Sequence, residues 1–180
     1  TAESYSYNGE KFDCLKKLGE TLKNLPTVKK VIVVGYSKTN PLLKNLEKCI
    51  LYNDFISNAP KPLEFEQLPF NHPVYIMYSS GTTGIPKSIV HSSGGTLIQH
   101  LKEFYFHCDM NRNDCIFYFT TCGWMMWNWL VSSLASKASI VLFEGFPMYK
   151  RSDLLIKLAD EQKITLFGVS AKYIDALNKS

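Results

Sequence analysis

The residues best suited to chemistry lie in one short stretch between two apolar runs. Backbone N–H groups and hydroxyls donate to phosphate oxygens, and a lysine adds a positive charge. Glycine lets the backbone approach a ligand closely. The stretch therefore predicts either a polyphosphate-binding loop or an ordinary hairpin turn. Its candidate residues are Ser79, Ser80, Gly81, Thr82, Thr83, Gly84 and Lys87.

The spacing of these residues excludes the Walker type of phosphate loop. That loop reads G-x-x-x-x-G-K-[ST], so counting from Gly81 the second glycine would fall at Pro86. A Walker loop also runs straight into a helix, whereas the residues after Lys87 have the pattern of a strand. We therefore expect a loop between a buried strand over residues 74–78 and a short return strand over 88–91.

Size and composition limit the possible classes of protein. The 180 residues are 46% hydrophobic and 20% charged, which is typical of one globular domain or a piece of a larger one. A net charge of +4 is too small to indicate nucleic-acid binding. We expect no secretory signal and no membrane span. Five scattered cysteines without Cys-x-x-Cys spacing predict reduced thiols of an intracellular protein and no metal site.

The second half of the chain alternates buried strands with helices. Such a β-α order at short intervals predicts an α/β fold, with a doubly wound, mostly parallel sheet flanked by helices. The strands are expected at 114–119, 139–143 and 164–167, and the helices at 124–137, from 152 onward, and at 171–177.

The first half has a weaker pattern of the same kind. Apolar residues at three- and four-residue steps predict a helix between Phe12 and Leu25, after a loose lead-in over residues 1–8. Buried strands are expected at 31–34 and 49–52. An exposed segment at 63–69 then leads to the loop, and Ser92 or Ser93 is expected to cap the helix that follows it.

Two features near the loop remain open to more than one interpretation. The helix over 124–137 is apolar nearly all round, so most of it should be core, but its first turn could line a ligand pocket. That turn follows small residues at the end of a strand, where open α/β sheets bind ligands. His91 could hydrogen-bond within the site or simply pack. The expected core residues of the helix are Trp129, Leu130 and Leu134.

The loop and its context together resemble a known family. Tyr78 to Lys87 is similar to the phosphate-loop signature of the adenylate-forming superfamily, which includes acyl-CoA synthetases, luciferases and peptide-synthetase adenylation domains. Residues 91–103 and 120–129 resemble the acetoacetyl-CoA synthetase branch more than the acetyl-CoA synthetase branch, which has Val-Thr where this chain has Met125 and Met126. The resemblance is strongest over residues 63–145.

This resemblance implies an activity and a set of substrates. The family joins an acid to AMP, releases pyrophosphate, and transfers the acyl group to CoA; the implied substrates are acetoacetate, ATP and CoA, with Mg²⁺. The loop residues would hold the β- and γ-phosphates, while Trp124, Met125 and Met126 would line the acyl pocket. The implied setting is cytosolic lipid and ketone-body metabolism. Acetyl- or propionyl-CoA synthetase is the alternative ligase.

The resemblance also implies what this sequence does not contain. The adenine and ribose motifs and the C-terminal lid with its adenylation lysine do not occur in residues 1–180. We therefore expect the chain to be an internal part of one AMP-binding domain, with no assignable catalytic residue and no activity alone. A non-catalytic nucleotide-binding module is the other possibility.

Overall fold

The structure, a computed structural model, describes residues 1–37, 40–44, 46–56, 59, 61–79 and 84–180. It divides into two compact units, Thr1–Glu64 and Phe65–Ser180. Ser80, Gly81, Thr82 and Thr83 of the candidate loop lie outside the described residues.

The first unit begins with a hairpin that the sequence pattern did not predict. Strands β1 (Ser4–Tyr7) and β2 (Glu10–Asp13) pair antiparallel, and the ring of Tyr5 stacks on that of Phe12 at 4.9 Å between centroids. The expected loose lead-in was therefore wrong, as was the placement of Phe12 in a helix. A positive φ at both turn residues, Asn8 and Gly9, permits this tight reversal.

The rest of the first unit follows the predicted order. Helix α1 (Cys14–Lys23) begins where the Asp13 carboxylate accepts the N–H groups of Leu15 and Lys16, at 2.8 and 3.2 Å. It is followed by two parallel strands and a short helix: β3 (Val31–Val33), β4 (Cys49–Leu51) and α2 (Tyr52–Phe55).

The Glu3 carboxylate ties the start of this unit to the chain after β3. It accepts the Tyr36 and Ser37 N–H groups at 2.5 and 2.7 Å, together with the hydroxyls of Ser37 and Ser4. Burial by itself would raise the pKa of Glu3, but these hydrogen bonds outweigh it and hold the pKa well below the usual range.

The second unit begins with the strands that flank the candidate loop. Residues 63–69, expected as an exposed segment, are exposed and form no strand. Strands β5 (Pro73–Ser79) and β6 (Lys87–Ser92) pair antiparallel where strands were predicted. The expected burial of β5 is wrong, because Ile76 and Tyr78 are 60% and 71% exposed.

The helix after β6 begins at the expected position and runs into a π-helical turn. Helix α3 (Ser93–Lys102) continues into a π-helical turn (Glu103–His107). Ser92 occupies the N-cap position but its side chain makes no capping hydrogen bond, so the expected cap was wrong. The hydroxyl of Ser93 donates instead to the carbonyl of His72, at 2.8 Å.

The remainder of the second unit is the predicted β-α alternation. The elements are β7 (Cys115–Tyr118), α4 (Met125–Ser132), β8 (Ser139–Val141), α5 (Leu154–Glu161), β9 (Leu166–Gly168) and α6 (Ala171–Asn178). A 3₁₀ turn (Ser133–Ser136) follows α4. The three strands are parallel and lie in the order β8-β7-β9.

Neighbouring residues of β7 face two separate apolar cores, as a doubly wound sheet requires. Ile116 packs with Phe104, Trp129 and Leu130 of the first core. Phe117 packs with Leu155 and Tyr173 of the second. The predicted core positions Trp129 and Leu130 are therefore confirmed, whereas Leu134 is 51% exposed and its prediction was wrong. Within the described residues, no helix is long and apolar enough to cross a membrane.

Candidate nucleotide and acyl site

The hairpin places the described loop residues together at its tip. Ser79 and Lys87 form the last β5–β6 pair, so their side chains lie on the same face. Gly84 has φ +98°, a conformation that favours glycine, and a Cβ added there would meet nothing within 4 Å. All three residues are exposed. A hydroxyl, an ammonium group and an open backbone position can therefore reach an anion from one place.

The far end of the hairpin is fixed to the segment before it. The N–H of Ser93 donates to His72 O at 2.8 Å, and the N–H of Gly94 donates to Phe70 O at 3.0 Å. A Cβ on Gly94 would lie only 2.2 Å from the Phe70 ring, so glycine is needed for this approach. These contacts hold the start of α3, and with it the end of β6, in place.

The three predicted acyl-pocket residues lie at the start of α4 in different environments. Trp124 is the N-cap of the helix and is 66% exposed, and Met125 is also exposed. Met126 is half-buried and packs against the first core. The side chains of Trp124 and Met125 thus form an exposed apolar surface that a ligand could contact. Met126, next to them in the chain, packs against the first core instead.

One side-chain contact links α4 to the strand that leads into the loop. The amide of Asn128 donates to the thioether sulfur of Met77 at 3.3 Å. Met77 lies two residues before Ser79 and therefore on the same strand face. The contact places β5, which ends at Ser79 of the candidate loop, beside α4, which begins at the candidate acyl residues.

A half-buried carboxylate, that of Glu103, links the end of α3 to α4. Glu103 accepts the indole N–H of Trp129 at 2.8 Å and the amide of Gln99 at 2.7 Å. His100 lies one turn away, and burial lowers its pKa; Glu103 raises the pKa and His91 lowers it. His91 itself is half-buried on β6, opposite Tyr75.

Sequence reasoning missed Asn128 and Glu103 as parts of this region. Asn128 is the one polar side chain between Trp124 and Val131 in the sequence, and that interruption of an apolar run was the available signal. Glu103 offered no comparable signal, because its partner Trp129 is distant in the sequence. Among the described residues, no group of three or more His, Cys, Asp or Glu side chains could hold a metal ion.

Comparison with known protein families identifies the family of this chain. The model of the AMP-binding enzyme family matches residues 7–180. The chain belongs to the AMP-binding enzyme family. The resemblance to adenylate-forming enzymes is thereby confirmed. So is the mixed α/β fold, since a solved AMP-binding enzyme, acetoacetyl-CoA synthetase from Streptomyces lividans, superposes with a TM-score of 0.89 and 38% identity, covering 99% of this chain and 27% of that one.

Curated relatives of this chain are named as CoA synthetases. An acetoacetyl-CoA synthetase of Danio rerio is 49% identical over 96% of this chain and 27% of its own length. Malonamoyl-CoA synthetase vrtB of Penicillium aethiopicum is 41% identical over 99% of this chain and 27% of its own length. The chain thus spans about a quarter of the length of these relatives.

Proposed function

We propose that the natural protein containing this sequence is an ATP-dependent acid–thiol ligase that converts acetoacetate and CoA to acetoacetyl-CoA. A carboxylate oxygen would attack the α-phosphorus of ATP, forming an acyl-adenylate and releasing pyrophosphate. The CoA sulfur would then attack the acyl carbon and release AMP. The observation that carries the proposal is the 49% identity, over nearly the whole chain, to a protein named acetoacetyl-CoA synthetase.

The tip of the β5–β6 hairpin is the proposed phosphate site. Lys87 would neutralise charge that builds on the leaving pyrophosphate, and Ser79 would donate its hydroxyl to a phosphate oxygen. Gly84 would let the backbone close on the phosphates. The four loop residues outside the described residues, Ser80, Gly81, Thr82 and Thr83, are proposed to add hydroxyl and N–H donors.

The donor set at this tip fits a nucleotide phosphate better than a bare cation. Ser79 offers a hydroxyl and Lys87 a positive charge, and neither is a carboxylate. Mg²⁺ in such enzymes is bound largely by substrate phosphates and water. When bound with ATP, Mg²⁺ would supply further neutralisation of the phosphate oxygens. This chain's own contribution is to position the phosphates.

The start of α4 is the proposed acyl wall. Trp124 and Met125 offer exposed apolar surface, and the adaptable Met126 side chain connects it to the core. A short acid held there would have its carboxylate near the phosphates, which is the positioning that in-line attack requires. We further propose a cytosolic setting, which the five free thiols support.

The test is an assay of CoA ester formation by the natural protein expressed from its complete reading frame. Acetoacetate, acetate and propionate are compared at matched concentrations with ATP, Mg²⁺ and CoA. We expect AMP release to be fastest with acetoacetate. Faster turnover of acetate or propionate would instead favour the alternative ligases, and no acid-dependent AMP release would favour a non-catalytic module.

A further inference from the structure

Among the residues that the structure describes, Asn128 uses only part of its hydrogen-bonding capacity. Its amide has two N–H donors and one carbonyl acceptor. Within the described part of the chain, its recorded partner is the Met77 sulfur, and a thioether is a weak acceptor. Asn128 is half-buried, and its carbonyl oxygen is not a fully buried atom without a partner, so the unused capacity is open to solvent or to a ligand.

The position of this amide connects the two halves of the proposed site. Asn128 follows Met125 by three residues on α4, so the two side chains are neighbours on the helix surface, with Cβ atoms about 5–6 Å apart. Trp124 is the N-cap of the same helix. Through Met77 it also touches the face of the hairpin that carries Ser79 and Lys87. A ligand that extends from the phosphates toward the acyl wall would pass this amide.

The proposed substrate has one group that needs such a donor. Acetoacetate ends in a methyl ketone, whose oxygen accepts hydrogen bonds but donates none. A malonamoyl group, named for a relative of this chain, has a carbonyl at the same distance from its carboxyl carbon. An apolar wall alone discriminates weakly between such acids and their deoxygenated analogues, whereas a hydrogen bond to the distinguishing oxygen discriminates strongly.

We propose that Asn128 donates its amide N–H to the second carbonyl of the acid and so selects 3-oxo acids over plain fatty acids of equal length. This inference rests on the proposed ligase function and deepens it. Asn128 takes no part in bond making; it binds the part of the substrate beyond the reacting carboxylate.

The experiment compares kcat/KM for acetoacetate and butyrate, which have the same number of carbons, in the natural protein. Asn128→Leu keeps the branched shape and removes the amide. We expect it to lower kcat/KM for acetoacetate by about 10- to 100-fold and to change that for butyrate by less than about 3-fold. Asn128→Asp removes the donors within the same shape and should lower acetoacetate turnover at least as much.

Met77→Leu is the matched control, because it removes the thioether and leaves the amide. It should preserve most of the preference for acetoacetate. Equal losses for both acids in Asn128→Leu, or loss of the preference in Met77→Leu to the same degree, would overturn the role of Asn128 while leaving the ligase function standing. A wild-type protein that turns over butyrate but not acetoacetate would overturn both.

Discussion

The parallel sheet and the β5–β6 hairpin of the second unit are both apolar in sequence but lie in different environments. Ile116 and Phe117 of β7 are completely or almost completely buried. Ile76, Tyr78 and Val90 of the hairpin are more than half exposed. Apolar strand sequence therefore does not by itself determine burial in this chain.

The difference comes from what covers each face. β7 lies between two cores, one including residues of α4 and one including residues of α5 and α6. The hairpin contacts α3, and Tyr75 and Met77 on one of its faces are half-buried, whereas Ile76 and Tyr78 on the other face are exposed. The sheet is thus stabilised by burial. The hairpin carries Ser79 and Lys87 at its tip, and most of its apolar side chains are not buried.

The sharpest test of this contrast is a pair of truncations. Phe117→Ala should lower the free energy of unfolding by about 3–5 kcal/mol, because it leaves a cavity in the second core. Ile76→Ala, on the exposed hairpin face, should cost less than about 1 kcal/mol. Urea unfolding of the 180-residue chain, followed by tryptophan fluorescence, reports on the second unit, since all three tryptophans of these residues lie within it. Similar losses in the two variants would show that the contrast is wrong.

For activity, unlike stability, we expect the larger effect from a substitution in the hairpin. Lys87→Met in the natural protein should lower kcat/KM for acetoacetate roughly 100-fold, because a preorganised cation opposite the leaving phosphates is lost. Its free energy of unfolding should stay within about 0.5 kcal/mol of wild type. Lys102→Met, at the exposed end of α3, is the matched control and should retain activity. An active Lys87→Met protein would remove the hairpin tip from the proposed site.

The sheet was also the part of the fold most accessible from sequence. Its strands and helices fall within a few residues of their predicted positions, because short apolar runs and helical periodicity are local signals. The β1–β2 hairpin was missed although Asn8-Gly9 is a local turn signal, because the apolar steps from Phe12 onward were assigned to a helix. The exposure of Ile76 could not be predicted, because burial depends on distant parts of the chain.

The candidate site was predictable in its chemistry and not in its connections. The position of Lys87 at the end of a hairpin follows from the apolar runs on either side of the loop. The contact of Asn128 with Met77 spans 51 positions of sequence, and the bond from Trp129 to Glu103 spans 26. Neither pair has a spacing that a helix or strand pattern detects. The roles of the site residues remain predictions for the experiments above.

The smallest expected effect concerns His100, on the helix that packs against both the hairpin and α4. Its Nδ1 atom is buried and has no hydrogen-bond partner among the described residues. Burial lowers the pKa of this imidazole; the nearby Glu103 carboxylate raises it, and His91 lowers it further. The folded state therefore binds a proton at His100 less readily than the unfolded chain does.

The sign of the pH dependence follows directly. Because the folded pKa of His100 is depressed, its contribution to stability is present above the unfolded value of about 6.5 and is lost as the pH falls through that value toward the folded pKa. His100→Gln should reduce the loss of unfolding free energy seen between about pH 7.5 and 5.5. His107→Gln is the matched control, since it removes an exposed imidazole from the adjoining π-helical turn. If the unfolding free energy of wild type and His100→Gln changed identically with pH, protonation of His100 would not affect stability. The region where α3 contacts the hairpin and α4 would then contain no titrating group at this position.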